Sequence, residues 1–253
     1  MNNSLRTLYL KTIGIQSWQL KSAPDIEPVE LIQTSTSPFF KGGLKGVKQL
    51  VSNPLSPPSK EGGSEDPVVT ELDSKLCQTI KHCQLCASRT KRLNALPGQG
   101  NSQASVFFIS EPPNAEEDRS GHYLTGQAQT LFHAMLESIG LNEQYFLTGL
   151  IKCHSSEQFL LTDEEVKNCA THLQAQLQEI KPTVLIVFGA VQAQMVLQTE
   201  QSFNELRGKT HSVKINEKNY SVVVSYHPAF LLRNPLYKRE ALKDLIMVKK
   251  LLK

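Results

Sequence analysis

A three-layer α/β/α domain with a mostly parallel central sheet is the fold class the sequence predicts, and three observations predict it. Short apolar runs alternate with segments whose apolar residues recur at helical spacing, the pattern of strands joined by helical crossovers. The run over residues 183–188 is almost wholly apolar, as expected of a strand covered on both faces. The chemically suggestive residues fall directly after such runs: Glu111, then Lys152 and Cys153, then Gly189, then His227. Open parallel sheets bind ligands beyond the carboxyl ends of their strands, so these residues are placed to converge.

The elements follow in order. Residues 1–33 have mixed composition and receive no assignment. Over 34–67 Ser, Pro, Gly and Lys dominate, with two related pieces at 37–46 and 56–63. Such a segment buries too little apolar surface to offset its ordering entropy, so it is expected to be a disordered linker or an inserted repeat, with a basic tether for nucleic acid as the alternative. The domain spans 68–253. Val69, Leu72, Leu76, Ile80 and Cys83 mark a first helix, with Cys77 as a small hydrophobe beside its apolar stripe. Residues 97–101 form a turn cluster, 104–110 a buried strand and 111–120 an acidic loop. Ala128, Leu131, Phe132, Met135, Leu136 and Ile139 trace a helix stopped by Gly140. Residues 145–151 make the next strand. Thr162 and Glu165 read as a capping box for a helix carrying Val166, Cys169, Leu173, Leu177 and Ile180. A helix over 190–198 follows, then a hairpin of 213–215 and 220–225 around 216–219. Asn234 and Pro235 open the last helix, which turns Leu242, Leu245, Ile246 and Leu252 inward.

The formal net charge is only +3, but its distribution is uneven. From Glu205 to the end, eleven Lys and Arg face four acids, a basic balance suited to a polyanionic partner. The opening residues hold no apolar run long enough for export or for crossing a bilayer, so a cytoplasmic, membrane-free setting is expected. In that compartment five cysteines point to metal or redox chemistry rather than to disulfides.

Four of those cysteines form a frame. Cys83 and Cys86 make a C-x2-C pair, and Cys153 and Cys169 lie far downstream. Four soft thiolates suit zinc or an iron–sulfur cluster, and the wide spread of the second pair favours a cluster embedded in the fold. His227 precedes Pro228, which holds it extended at a strand end, where a neutral imidazole can donate to a developing anion. Glu111 follows a buried strand, so its carboxylate can orient water or stabilise positive charge; Glu117 is a candidate second acid.

The segments Ile109-Ser110-Glu111-Pro112-Pro113, Gly121 to Gly126, Ile151-Lys152-Cys153, Leu206-Arg207-Gly208-Lys209 and His227-Pro228-Ala229-Phe230-Leu231-Leu232-Arg233-Asn234-Pro235 resemble the family 4 uracil-DNA glycosylases. These are the iron–sulfur branch of that superfamily, and the likeness runs from about residue 75 to the end. The resemblance implies a [4Fe–4S] cluster on Cys83, Cys86, Cys153 and Cys169. It implies a water-positioning Glu111, a His227 that hydrogen-bonds the departing uracil, and a 231–233 segment, including Leu231 and Arg233, that wedges into DNA; Lys209 and the basic last helix are expected to grip DNA by charge. It also marks departures: Leu124 stands where a phenylalanine stacks on uracil, and Gly149 stands where an asparagine reads it. The resulting expectation is a monomeric glycosylase-type hydrolase of base-excision repair, acting on uracil or another deaminated base in DNA with altered selectivity. A catalytically silent iron–sulfur DNA-binding paralogue is the alternative.

Overall fold

The computed structural model describes residues 75–154 and 163–253. The expectations for 1–33, for 34–67, for Val69 and Leu72 in the first helix and for Thr162 as a cap lie outside the described residues.

Six strands form one sheet in the order β1-β3-β2-β4-β6-β5. The centre is parallel: β2 (Val106–Ser110) lies between β3 (Tyr145–Gly149) and β4 (Val184–Phe188), and β4 pairs with β6 (Lys218–Ser225). Every residue of β2, β3 and β4 is buried, which accounts for their unbroken apolar character. The two outer strands run antiparallel. At one edge is the hairpin partner β5 (Thr210–Ile215), whose link to β6 uses Asn216 and Glu217 at positive φ, as a tight two-residue hairpin turn requires. At the other edge is β1 (Gln99–Gly100), paired with Leu147 and Phe146, where the sequence indicated only a turn.

Helices cover both faces. On one side α3 (Gly126–Ser138), α7 (Pro228–Arg233) and α8 (Lys238–Leu251) pack Leu131, Phe132, Met135, Leu231, Leu242, Leu245 and Val248 onto Phe108, Leu147, Ile186 and Val223. On the other, α4 (Asp163–Ile180), α5 (Ala190–Leu197) and the short α6 (Phe203–Leu206) bring Leu173, Leu177, Val196 and Leu206 against Phe107, Ile109, Val187 and Val224. Alternate residues of each central strand therefore serve opposite cores, and the three-layer expectation holds. Helix α1 (Lys75–Lys81) packs near α4 at the sheet's end.

Two helices replace expected loops. Within the acidic segment, α2 (Ala115–Ser120) is capped by Asn114, which accepts from the Glu116 and Glu117 N–H groups while Glu117 bonds back to Asn114 N. After β6, His227 keeps the extended backbone foreseen for a residue before proline, but it is the N-cap of α7, with Pro228 at the first helical position. The last helix starts at Lys238, and Pro235–Tyr237 form a separate 3-10 turn. No described helix is long and apolar enough to cross a membrane.

Candidate active site and thiol cluster

The parallel registers bring four strand ends to one rim. Ser110 lies opposite Gly149, and Phe188 lies opposite Ser225, so Glu111, Gly189 and His227 all emerge at the same edge of the sheet. There Glu111, Asn114, Gln192, His227, Phe230 and Arg233 help line a cleft of about 480 Å³, a volume suited to one small planar ligand. Of the residues expected to converge, Glu111 and His227 line this cleft and Gly189 approaches Glu111, whereas Lys152 and Cys153 are not in its wall; Arg233 joins the lining.

The tautomer of His227 follows from its partners. Its Nδ1 accepts the Ala229 backbone N–H at 3.2 Å, so in the neutral ring the proton sits on Nε2, which donates to Ser110 Oγ at 3.1 Å. Burial, helped by the charge of Arg233, pushes the imidazole pKa down from 6.5 to about 4, so the ring is neutral at ordinary pH. The Phe188 ring meets the imidazole nearly at right angles, 5.7 Å between centroids. Behind it, Arg207 bonds Asp244 at 2.8 Å and Glu240 at 2.9 Å and lies over the Tyr226 ring, while Ser225 donates to Asp244. This pins the two residues preceding His227.

Glu111 is open to the cleft, yet the surrounding protein desolvates its carboxyl and raises its pKa above 4.5. Arg233 opposes that rise and the nearby Glu117 adds to it. Gly189 makes the approach possible: a Cβ there would lie 2.7 Å from Glu111 Oε1 and 2.8 Å from Gln192 Oε1. A neutral donor and a partly desolvated carboxylate in one cleft can stabilise opposite charges that develop on a bound molecule.

Glu117, the candidate second acid, also lines the cleft, and its Oε2 accepts Asn114 N at 2.8 Å while its Oε1 accepts Leu124 N at 2.7 Å, so the carboxylate braces the loop as well. Three other expectations are revised. Leu231 cannot wedge into DNA from this position, because it is fully buried among core side chains. Leu124 and Gly149 do not line the cleft. Leu124 is buried in the core, and the space beside Gly149 is filled by Tyr123, whose hydroxyl bonds the carbonyls of Leu96 and Ile151. Arg233 and Lys209 are both exposed, and Lys209 leads into β5 at the carboxyl end of the sheet, outside the cleft wall.

Three chain segments bring the cysteines together. Cys83 and Cys86 follow α1, Cys153 bridges Ala95, and Cys169 lies on α4. No disulfide joins any of the five. Burial pushes the Cys153 thiol up to about 11 and also raises Cys169; Cys86 lies within electrostatic reach of both, and Cys83 within reach of Cys169. N–H donors surround these sulfurs: Arg92 Nη1 lies 2.8 Å from Cys153 Sγ, His172 Nε2 lies 3.2 Å from Cys83 Sγ, and the Lys152 backbone faces Cys169. His172, which the sequence gave no reason to single out, therefore belongs to this centre, as does Arg92. Lys152 is buried beneath it, its ammonium held by Thr148, Gly149 O and Gln176. Among the described residues, no three His, Cys, Asp or Glu side chains are gathered as ligands of a single ion.

Residues 97–247 match the Uracil DNA glycosylase superfamily. The chain belongs to that superfamily. Its relatives include the type-4 uracil-DNA glycosylase of Archaeoglobus fulgidus, 32% identical over 174 residues, which cover 67% of this chain and 87% of that protein. The type-4 uracil-DNA glycosylase of Pyrobaculum aerophilum is 30% identical over 178 residues, 68% of this chain and 91% of that one. That of Saccharolobus solfataricus is 31% identical over 183 residues, 70% and 85% respectively. Within the superfamily match fall β2, β3, β4 and β6, hence every strand end that builds the cleft.

Proposed function

We propose that this protein is a uracil-DNA glycosylase-type hydrolase that releases uracil, or another deaminated base, from DNA in base-excision repair. The observation that carries the reading is the pairing of the neutral Nε2–H donor of His227 with the Glu111 carboxylate in one cleft at the carboxyl end of the sheet. The names of the type-4 relatives support the choice of substrate.

A base inside a duplex must be extruded before it can enter such a cleft, at about a few kcal/mol, least for a mispair. Cleavage of the N-glycosidic bond then leaves negative charge on the base and positive charge on the deoxyribose. His227 donates to the base, and Glu111 faces the sugar and orients the attacking water. Both contacts strengthen as charge separates, which lowers the barrier rather than merely binding substrate. Arg233 at the cleft and Lys209 beyond it meet DNA phosphates, and the protein works as a monomer in the cytoplasm.

Cys83, Cys86, Cys153 and Cys169 would hold a [4Fe–4S] cluster. A tetrahedral ion draws sulfurs to about 2.3 Å from one centre. A four-iron cube keeps them farther apart and takes thiolates drawn from separate chain segments, as Cys83 and Cys86, Cys153 and Cys169 are. Donors such as Arg92 and His172 suit sulfurs that carry charge. When bound, the cluster supplies a covalent tie between the α1 loop, β3 and α4. Anaerobically purified protein is expected to be brown, with iron and acid-labile sulfide in equal amounts; stoichiometric zinc without sulfide would overturn this assignment.

The test of the activity is base release from oligonucleotide duplexes carrying uracil, hypoxanthine or xanthine. Release of one of them, lost in His227→Ala, is expected. The filled space beside Gly149 favours a second reading, a silent DNA-binding paralogue. Salt-sensitive DNA binding with no release of any base would establish it instead.

A further inference from the structure

Gln192 on α5 is only 5% exposed, yet nothing among the described residues hydrogen-bonds its carboxamide. Among the described residues no fully buried side-chain nitrogen or oxygen lacks a partner, so this amide keeps its opening, and that opening is the cleft it lines with Glu111 and His227. Its Oε1 stands over Gly189 beside Glu111 Oε1, in space that a side chain at 189 would fill. An amide on the cleft wall with no protein partner bonds only water in the free protein, and a ligand edge that replaces that water takes up both its donor and its acceptor.

A primary carboxamide offers one acceptor oxygen and two N–H donors. It therefore complements a cyclic imide or lactam edge, in which an N–H stands next to a C=O. Uracil presents such an edge at N3 and O4, and the deaminated purines present the same pattern. Gly149 offers no side chain for this task, and the tyrosine beside it is bonded to backbone carbonyls. We propose that Gln192 is the residue that reads the edge of the extruded base, a specificity-determining role supplied from the helix after β4. This inference rests on the glycosylase reading above.

The experiment measures affinity, so that it does not depend on turnover. The intact protein is titrated with a duplex holding 2′-fluoro-2′-deoxyuridine opposite guanine, whose glycosidic bond resists cleavage. It is also titrated with the same duplex holding a tetrahydrofuran abasic analogue or cytidine. In Gln192→Leu and Gln192→Met the affinity for the uracil duplex relative to the abasic one should fall about tenfold, as expected for losing one or two hydrogen bonds. Affinity for the abasic duplex itself should not change. Neither variant should melt lower than the wild type, because the amide removed has no protein partner. An unchanged affinity ratio, with wild-type uracil release intact, would overturn the role of Gln192 alone. An unchanged ratio with a displaced pH profile would overturn it in favour of a positioning role toward Glu111. Wild-type protein that binds uracil and cytidine duplexes equally would sink the glycosylase reading, and this inference with it.

Discussion

His227→Ala is expected to slow single-turnover base release by about 10²- to 10³-fold, the loss that follows removal of one donor aimed at developing negative charge. The size follows from the tautomer. Nε2–H is the only proton the neutral ring can offer, because Nδ1 is occupied as an acceptor for Ala229 N–H. The rate constant, rather than substrate affinity, should carry the change, since the bond strengthens only as charge leaves the sugar. The pH dependence provides a second check. With its pKa near 4, His227 contributes no break in the wild-type profile between pH 6 and 7. The acid limb belongs to Glu111, which must be ionised and whose pKa lies above 4.5. Arg233→Ala removes the cation that holds the carboxylate down, so it should move that limb to higher pH. Stability is linked to the same groups. The folded His227 binds its proton less readily than the unfolded one, so folding free energy is complete above about pH 6.5 and is lost as pH falls toward 4. His227→Ala should flatten that loss in thermal melts. Full activity in the variant would show the imidazole to be a bystander.

What the sequence revealed, and what it hid, divides along physical lines. Strands β2, β3 and β4 were legible because residues buried on both faces leave an unbroken apolar run. Helices α3 and α4 were legible because Leu131, Met135, Leu173 and Leu177 repeat at helical spacing. Strand ends then located Glu111 and His227 without further help. Strand β1 was hidden because two residues have no periodicity. Helices α2 and α7 were hidden in segments read for their chemistry, although Asn114 with Glu117 and Pro228 after His227 are start signals that pattern reading could have used. Leu231 illustrates a different limit: two adjacent leucines do not say which one faces the core, and the short helix decides it. Arg92, His172 and Gln192 carried no motif at all. Their importance lies in which partners they have or lack, a property of the assembled fold rather than of spacing.

Gly149→Asn is expected to destabilise the protein without adding a base-reading amide to the cleft. An asparagine at the end of β3 would place its Cβ 2.5 Å from the Ile151 carbonyl oxygen and 2.6 Å from the Tyr123 hydroxyl. The first of these neighbours is backbone, and the second is a ring buried to 1% exposure and bonded at both Leu96 and Ile151. Neither can retreat without breaking hydrogen bonds in a close-packed region, so the substitution forces strain into the strand end. Overpacking of this kind costs about 1–3 kcal/mol and occasionally more. In a domain of this size that corresponds to a melting point lower by roughly 2–12 °C. No gain in uracil release should accompany it, because the displaced carbonyl of Ile151 lies one residue before the Lys152-Cys153 segment that ties β3 to the thiols. Tyr123→Phe removes the hydroxyl contact but leaves the carbonyl one. The double variant should therefore be more stable than the sum of the two single changes implies, with a coupling of about 1 kcal/mol. Additive melting data would mean that Tyr123 does not occupy the space, and a Gly149→Asn protein that melts like the wild type and excises uracil faster would mean that the cleft is open at β3 after all. The physical point is that Tyr123 fills the space a side chain at Gly149 would need. The two positions therefore have to be exchanged together, with the carbonyl between them given room to turn.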